Sequence, residues 1–178
     1  MEIFMNLFHI FYVQPMFFAV VETIIMCVVW MVIMLILHRK AQRTISIVCC
    51  ILSVGVILLF TVHGRSSGEG LQLAPFFIVG NFSEQTELLR TLLMNAFLFI
   101  PFGLSMPYAL SESIRHKVLI TVIAGFMISV SVEACQFFFS LGRCETDDII
   151  MNTLGTFFAA KTFTLYKMIK STSMNGES

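Results

Sequence analysis

Five stretches of about 20 mostly apolar residues divide this chain, and they settle its surroundings before any motif is read. They run from about Met16 to Leu37, Thr44 to Val62, Leu88 to Leu110, Val118 to Ser140 and Ile149 to Met168. A helix of that length matches the roughly 30 Å hydrocarbon core of a bilayer. The composition agrees with a lipid setting. Of 178 residues 57% are hydrophobic and 12% charged, against about 25% charged in an average soluble domain, and the mean hydropathy is +0.89. A soluble domain of this length has too little interior to hide so much apolar surface. Disorder needs the opposite composition, low hydrophobicity with high net charge. The expected architecture is an all-α integral membrane protein of about five transmembrane helices joined by short loops. With 11 basic and 11 acidic residues the formal charge is zero, and nothing points to a nucleic-acid partner.

The segment Met1–Gln14 is aromatic and apolar but short for a span, and reads as interfacial. The first span reads as a membrane anchor rather than a signal peptide, because Arg39, Lys40 and Arg43 follow the apolar run instead of preceding it.

Orientation comes from the basic residues of the short loops. Arg39, Lys40, Arg43, Arg115, Lys117, Lys161, Lys167 and Lys170 fall on one side of an alternating five-span arrangement, leaving Arg65, Arg90 and Arg143 on the other. This bias puts the N-terminus outside and the C-terminus in the cytoplasm. Most acidic residues show the reverse bias, although acidic charge contributes little to orientation. Either a solvated outer face or a polar site there accounts for it. Cys27, Cys49, Cys50 and Cys135 lie within spans, and Cys144 is in an outer loop. There is no CxxC and no His/Cys cluster, so neither a zinc site nor a cofactor is expected.

The informative residues are the polar ones that enter the spans. In the third span these are Arg90 and Asn95, followed by Pro101 and Gly103. In the fourth, Ser129, Glu133 and Gln136 share one helical face, and in the fifth Asp148, Asn152 and Gly155 do the same. Asn95, Glu133 and Asn152 fall at a similar depth in the outer half of the membrane. An ionisable group within a span is costly and usually faces the bundle interior or a wet cavity, so the three stripes are expected to point at one another. Pro101 lacks a backbone donor and clashes with the carbonyl four residues back, predicting a kink in the third helix. Packing alone explains Pro101 and Gly103.

The run Leu-Ala-Pro-Phe at 73–76, Asn95 with Phe-Ile-Pro-Phe-Gly at 99–103, Ser-Val-Glu-Ala-Cys-Gln at 131–136 and Asp-Asp-Ile-Ile-Met-Asn-Thr-Leu-Gly at 147–155 together resemble the VanZ-like family. The likeness covers about residues 62–160. Residues 1–61 then hold the interfacial segment and two helices, the first looking like an addition to the family core, and 161–178 form a basic cytoplasmic tail. The resemblance implies a small multi-pass protein of the bacterial cell membrane, linked to resistance to teicoplanin-type glycopeptides. It also implies Asn95, Glu133, Gln136, Asp148 and Asn152 as the polar residues of the site, with Arg143 and Asp147 beside them.

Each residue also has a plainer reading. Asn95, Gln136 and Asn152 serve equally well as bonds between helices, at about 0.6 kcal/mol each on average. Asp148 suits a helix start, worth about 0.3–1 kcal/mol. Asp147 and Glu145 read as a solvated loop, and Glu22 as a side chain reaching for the interface. The reading favoured is a binding protein whose outward-facing pocket takes the head of an amphiphile, either a lipid-linked cell-wall precursor or a lipoglycopeptide. Arg65, Arg90 and Arg143 would meet its phosphates. The alternatives are a membrane-embedded hydrolase or transferase and a small proton-coupled transporter. In the enzyme, Glu133 is the general base and Asp148 the second carboxylate, or Glu133, Asp147 and Asp148 hold a metal. Against the enzyme, the sequence shows no nucleophile–base pair. Against the transporter, it shows no inverted repeat.

Overall fold

The computed structural model describes residues 16–62, 71–72, 82–140 and 144–175. Its elements are five helices, α1 (Met16–Ile36), α2 (Arg39–Val62), α3 (Phe82–Ala109), α4 (Lys117–Phe138) and α5 (Thr146–Asn175), with two short strands, β1 (Leu71–Gln72) and β2 (Cys144–Glu145). Each apolar window becomes a helix to within two residues at its ends, and α2, α3 and α5 run beyond their windows at a polar end. A backbone satisfies its own N–H and C=O groups by staying helical, so α2 begins at Arg39 and α5 runs on past Lys170, where hydropathy has already fallen. The residues of the expected interfacial segment lie outside those described.

Among the described residues three stretches are long and apolar enough to cross a membrane: Arg39–Thr61, Leu89–Ala109 and Lys117–Phe138. The described apolar part of α1, Val21–Ile36, is shorter, and the apolar run of α5 is interrupted by Lys161 and Lys167. Within its apolar stretch α3 is 67% buried, against 22% for α2 and 28% for α4. That contrast makes α3 the central helix. It packs most extensively on α5 and next on α2, while α4 lies mainly against α5 and α1 touches α3 and α5 lightly. Ile51, Leu52, Leu119 and Ile123 are each more than half exposed, and an apolar exterior of this extent belongs in lipid rather than water.

In lipid the apolar exterior gives helices no reason to associate, so close packing must hold them together. The seam between α3 and α5 is built for that. A Cβ on Gly155 would lie 2.1 Å from the Ala96 carbonyl oxygen, and one on Gly103 2.6 Å from that of Thr156. On the other flank of α5, a Cβ on Gly125 of α4 would meet Thr156 Oγ1 at 2.5 Å. Residues 155–156 thus sit between two neighbouring backbones. Apolar clusters fill the interior beside the seam: Ile57, Phe99, Phe102 and Val132 in one, Ile100, Leu104 and Ala159 in another. Trp30 fastens α1 by donating its indole N–H to the Leu104 carbonyl at 3.1 Å.

Several buried hydroxyls are satisfied within their own helices. Ser105 donates to the Pro101 carbonyl at 2.7 Å, Thr121 to that of Lys117 at 2.8 Å and Thr156 to that of Asn152 at 2.9 Å, the usual way a Ser or Thr sits at apolar depth. Helix α3 continues from Phe82 to Ala109 with Pro101 and Pro107 both inside it. At the end of α4, Ser140 takes a left-handed φ of 51°. Strands β1 and β2 leave no signature in the hydropathy pattern. They pair in parallel, Leu71 with Cys144 and Gln72 with Glu145, and fix two residues of the α2–α3 connection beside the start of α5.

The seam makes a sharp prediction. Gly155→Ala must push a methyl group into a backbone carbonyl that cannot rotate away, and overpacking of this kind costs about 1–3 kcal/mol. Thermal unfolding in detergent is expected to show a loss near the upper end of that range. Gly55→Ala, with nothing within 4 Å of the new atom, is expected to be neutral or slightly stabilising. Equal melting temperatures for the two variants would remove the close-packed seam from the account.

Candidate functional site

The polar residues gather at the end of the bundle where α5 begins. Asp147 and Asp148 occupy the first turn of α5, where the unpaired backbone N–H groups and the helix dipole favour negative charge. Both are buried, each 4% exposed. An ionised group so placed needs bonded partners, since an unpaired buried charge is strongly disfavoured. For Asp148 the partner comes from the central helix: Asn95 Nδ2 of α3 donates to Asp148 Oδ1. One turn further along α5, Asn152 Nδ2 donates to Ser129 Oγ of α4 at 2.9 Å. One turn from Ser129, Glu133 is 2% exposed and its Oε2 accepts the backbone N–H of Glu145 at 3.0 Å. The polar face of α5 is therefore clamped by α3 on one flank and α4 on the other.

Asn95, Glu133, Asp147, Asp148 and Asn152 are all buried at this end. Their pairing differs from a simple meeting around Glu133. Asn95 and Asn152 direct their N–H groups to Asp148 and Ser129, while Glu133 is held by main chain. Gln136 is fully buried and reaches the other way, donating to the Thr61 carbonyl of α2 at 2.9 Å. Asp147 is buried rather than solvated, since it lies in the first turn of α5 and not in an open loop. Arg90 is half-buried on α3, and Glu22 is exposed on α1. Arg65 and Arg143 lie outside the described residues. Gly103 and Gly155 lie at the helix seam, and Pro101 lies inside α3.

The carboxylates do not form a metal centre. Among the described residues no group of three or more His, Cys, Asp or Glu is placed to hold a metal ion. This corrects the expectation of a Glu133–Asp147–Asp148 metal set: Asp148 is turned to α3, while Glu133 is turned to β2.

One atom stands out. Asn152 is 4% exposed, yet its Oδ1 has no hydrogen-bond partner among the described residues. Whichever way round the amide sits, Ser129 satisfies one of its polar atoms and leaves the other bare. A buried polar group in that state costs about 1–3 kcal/mol. Sequence reasoning did not foresee the roles of Thr61 and of the Glu145 backbone. They contribute main-chain atoms, which leave no trace in residue type.

Helices apolar enough to cross a membrane, enclosing a buried cluster of carboxylates and amides at one end, define a helical membrane protein with a buried polar cluster. The sequence model of the VanZ/LLP1 family matches residues 23–169, and the chain belongs to that family. The match takes in most of α1 as well as the motif-bearing stretch from residue 62 to 160. Protein VanZ of Enterococcus faecium is 31% identical over 115 residues, 64% of this chain and 62% of that protein. The chain thus spans less than two thirds of the length of the curated relative it matches. No solved structure matches.

The Asn95–Asp148 contact is the most easily tested part of the cluster. A hydrogen bond to a charged group contributes about 1.5–3 kcal/mol in water-soluble proteins, and bonds between membrane helices average about 0.6. A double-mutant cycle of Asn95→Ala and Asp148→Ala, read by unfolding in detergent, is expected to give a coupling of about 1 kcal/mol. Strict additivity would mean that the two side chains do not meet.

Proposed function

We propose that the buried cluster is the head-group site for an amphiphilic envelope molecule, either a lipid-linked cell-wall precursor or a lipoglycopeptide, and that its occupation underlies a contribution to resistance against teicoplanin-type glycopeptides. The observation that carries this reading is the bare Asn152 amide atom at the bottom of a buried, carboxylate-rich cluster. An acceptor held without a donor beside Asp148 and Glu133 suits the hydroxyl and amide N–H groups of a sugar–peptide head. If the amide were only interhelical glue, both of its polar atoms would gain from being paired.

A second feature fits the rest of an amphiphile. Two residues further along α3 from Asn95, Phe97 and Leu98 line a cavity of about 220 Å³ together with Met26, Val56, Phe60 and Pro101. Its walls are largely apolar and suit an acyl or prenyl chain. Glu22 is also among its lining residues.

In this reading the protein is a multi-pass protein of the bacterial cell membrane. The cluster faces outward, the N-terminus is outside and the C-terminus is in the cytoplasm. The bias of eight basic residues to the other side supports this orientation. Helix α3 bends at Pro101, where one backbone bond is missing. In the same reading Arg65, Arg90 and Arg143 would meet a phosphate at the outer face.

Two substitutions of one residue test the site. Gln in place of Glu133 can still accept the Glu145 N–H, so Glu133→Gln is expected to insert and fold normally while losing its charge. Loss of a charge-assisted bond to the ligand is worth about 1.5–3 kcal/mol, tenfold or more in affinity. Membrane-inserted yield, teicoplanin susceptibility of the host and binding of purified lipid-linked precursor are to be measured for Glu133→Gln beside Glu133→Ala. Normal yield with at least tenfold weaker binding is the expected result. Full resistance and binding in both variants would show that Glu133 is not at the site, and consumption of the precursor by the unaltered protein would favour an enzyme instead.

A further inference from the structure

The opposite end of the bundle holds a cavity of about 600 Å³. It is formed where α2 begins, α3 ends, α4 begins and α5 ends, and it is strongly basic. Arg39, Lys40, Arg43, Lys117, Lys167 and Lys170 all line it, against a single acidic residue, Glu112. Orientation in the membrane asks for basic residues at one end of a bundle. It does not ask that cations from three separate elements converge on one concavity, where they repel one another.

The counter-charge within the protein is slight. Lys117 is 4% exposed, and its Nζ donates to the Leu110 carbonyl at 3.1 Å. The nearest carboxylate oxygen, on Glu112, is 4.0 Å away on a side chain that is itself 75% exposed. Lys170 Nζ donates to the Tyr166 hydroxyl at 3.0 Å, and Gln42 donates to the same oxygen at 3.0 Å. Lys117 and Lys167 both lie over the Phe163 ring, at 5.3 and 5.2 Å. The cations are thus arranged on an aromatic wall rather than neutralised.

A second observation points to a ligand. Tyr108 lines the same cavity and packs edge-on against Phe163 and Tyr166, with centroids 4.9 and 5.2 Å apart. It is 6% exposed, and its hydroxyl has no hydrogen-bond partner among the described residues. A buried hydroxyl without a partner in a basic cavity is a donor suited to an anionic oxygen.

We propose that this cavity holds the phosphodiester headgroup of an anionic phospholipid drawn from the leaflet at the basic end. Phosphate is the shared chemistry of every ligand that would suit six cations and a free hydroxyl. The volume favours the lipid: it lies within the usual 300–1,000 Å³ range of organic ligand sites and far exceeds the need of a bare phosphate. Aromatic and methylene surface beside the cations provides an apolar face for the glycerol and the first carbons of the chains. Basic pockets between membrane helices are a recognised place for such headgroups. The inference does not rest on the outer cluster or its ligand.

The test uses the full chain reconstituted in phosphatidylcholine nanodiscs with trace spin-labelled phosphatidylglycerol or spin-labelled phosphatidylcholine, reading the motionally restricted fraction of each. The unaltered protein is expected to prefer phosphatidylglycerol. Arg43→Gln with Lys170→Gln, two changes at the cavity, is expected to lower that preference by about fivefold for each cation removed. Arg115→Gln with Lys161→Gln removes the same charge from the same end but outside this cavity, and is expected to leave the preference unchanged. Equal losses from the two pairs would reduce the effect to surface potential and overturn the site. Absence of any preference in the unaltered protein would overturn it as well. Displacement of the labelled lipid by aqueous pyrophosphate would assign the cavity to a soluble phosphate compound and overturn the lipid source.

Discussion

The contact on which the rest of this structure depends is the approach of α5 to α3 at Gly155. There is no room for even a methyl group between the Gly155 Cα and the Ala96 carbonyl. In lipid such closeness replaces the hydrophobic force that would join helices in water. It also sets the register of everything nearby. Asp148 and Asn152 lie on the same face of α5 as Gly155, so pressing Gly155 against α3 brings Asp148 within reach of Asn95. The same helix turn presents Thr156 to Gly125 of α4, which keeps Asn152 within reach of Ser129. A bulkier seam would separate the helices and break both contacts at once.

The bundle is chemically divided along its length. One end holds buried carboxylates and amides, the other a basic and aromatic cavity, and between them Ile57, Phe99, Phe102 and Val132 form a packed apolar layer. A continuous polar path through the bundle would have to cross that layer. Two separate sites, each taking the polar part of a molecule embedded in its own leaflet, fit this division better than a route for protons from face to face. On the proposed reading, the carboxylate and amide cluster takes a head rich in hydroxyl and N–H groups. The basic cavity suits phosphate.

The helices were legible in the sequence because hydropathy reports the environment directly, and the five windows fall within the five helices apart from a residue or two at their ends. The face-sharing of Glu133 with Ser129 and of Asp148 with Asn152 was legible too, because helical spacing is fixed. Partner choice was not. Nothing in residue type says that Asn95 bonds Asp148, or that Glu133 is held by the N–H of Glu145, since those contacts depend on how far each helix is rotated and on a two-residue parallel pairing between distant loops. Asp147 read as a loop residue because acidic residues beside a span are usually solvated, whereas it lies buried in the first turn of α5. Arg39, Lys40, Arg43, Lys117, Lys167 and Lys170 were read for orientation alone. Their convergence on one cavity is a tertiary fact, assembled from α2, α4 and α5.

The central claim is that the Asn152 cluster is a site open to a ligand head rather than sealed packing. Reaction from outside the cell with a membrane-impermeant thiol reagent tests it most directly, using Asn152→Cys and, separately, His38→Cys on a background without native cysteines. The account predicts modification of the Asn152→Cys protein, slowed by lipid-linked precursor or teicoplanin, and no modification of the His38→Cys protein at the opposite end. An inserted, folded Asn152→Cys protein that stays unmodified, or that reacts at the same rate with and without both ligands, would contradict it.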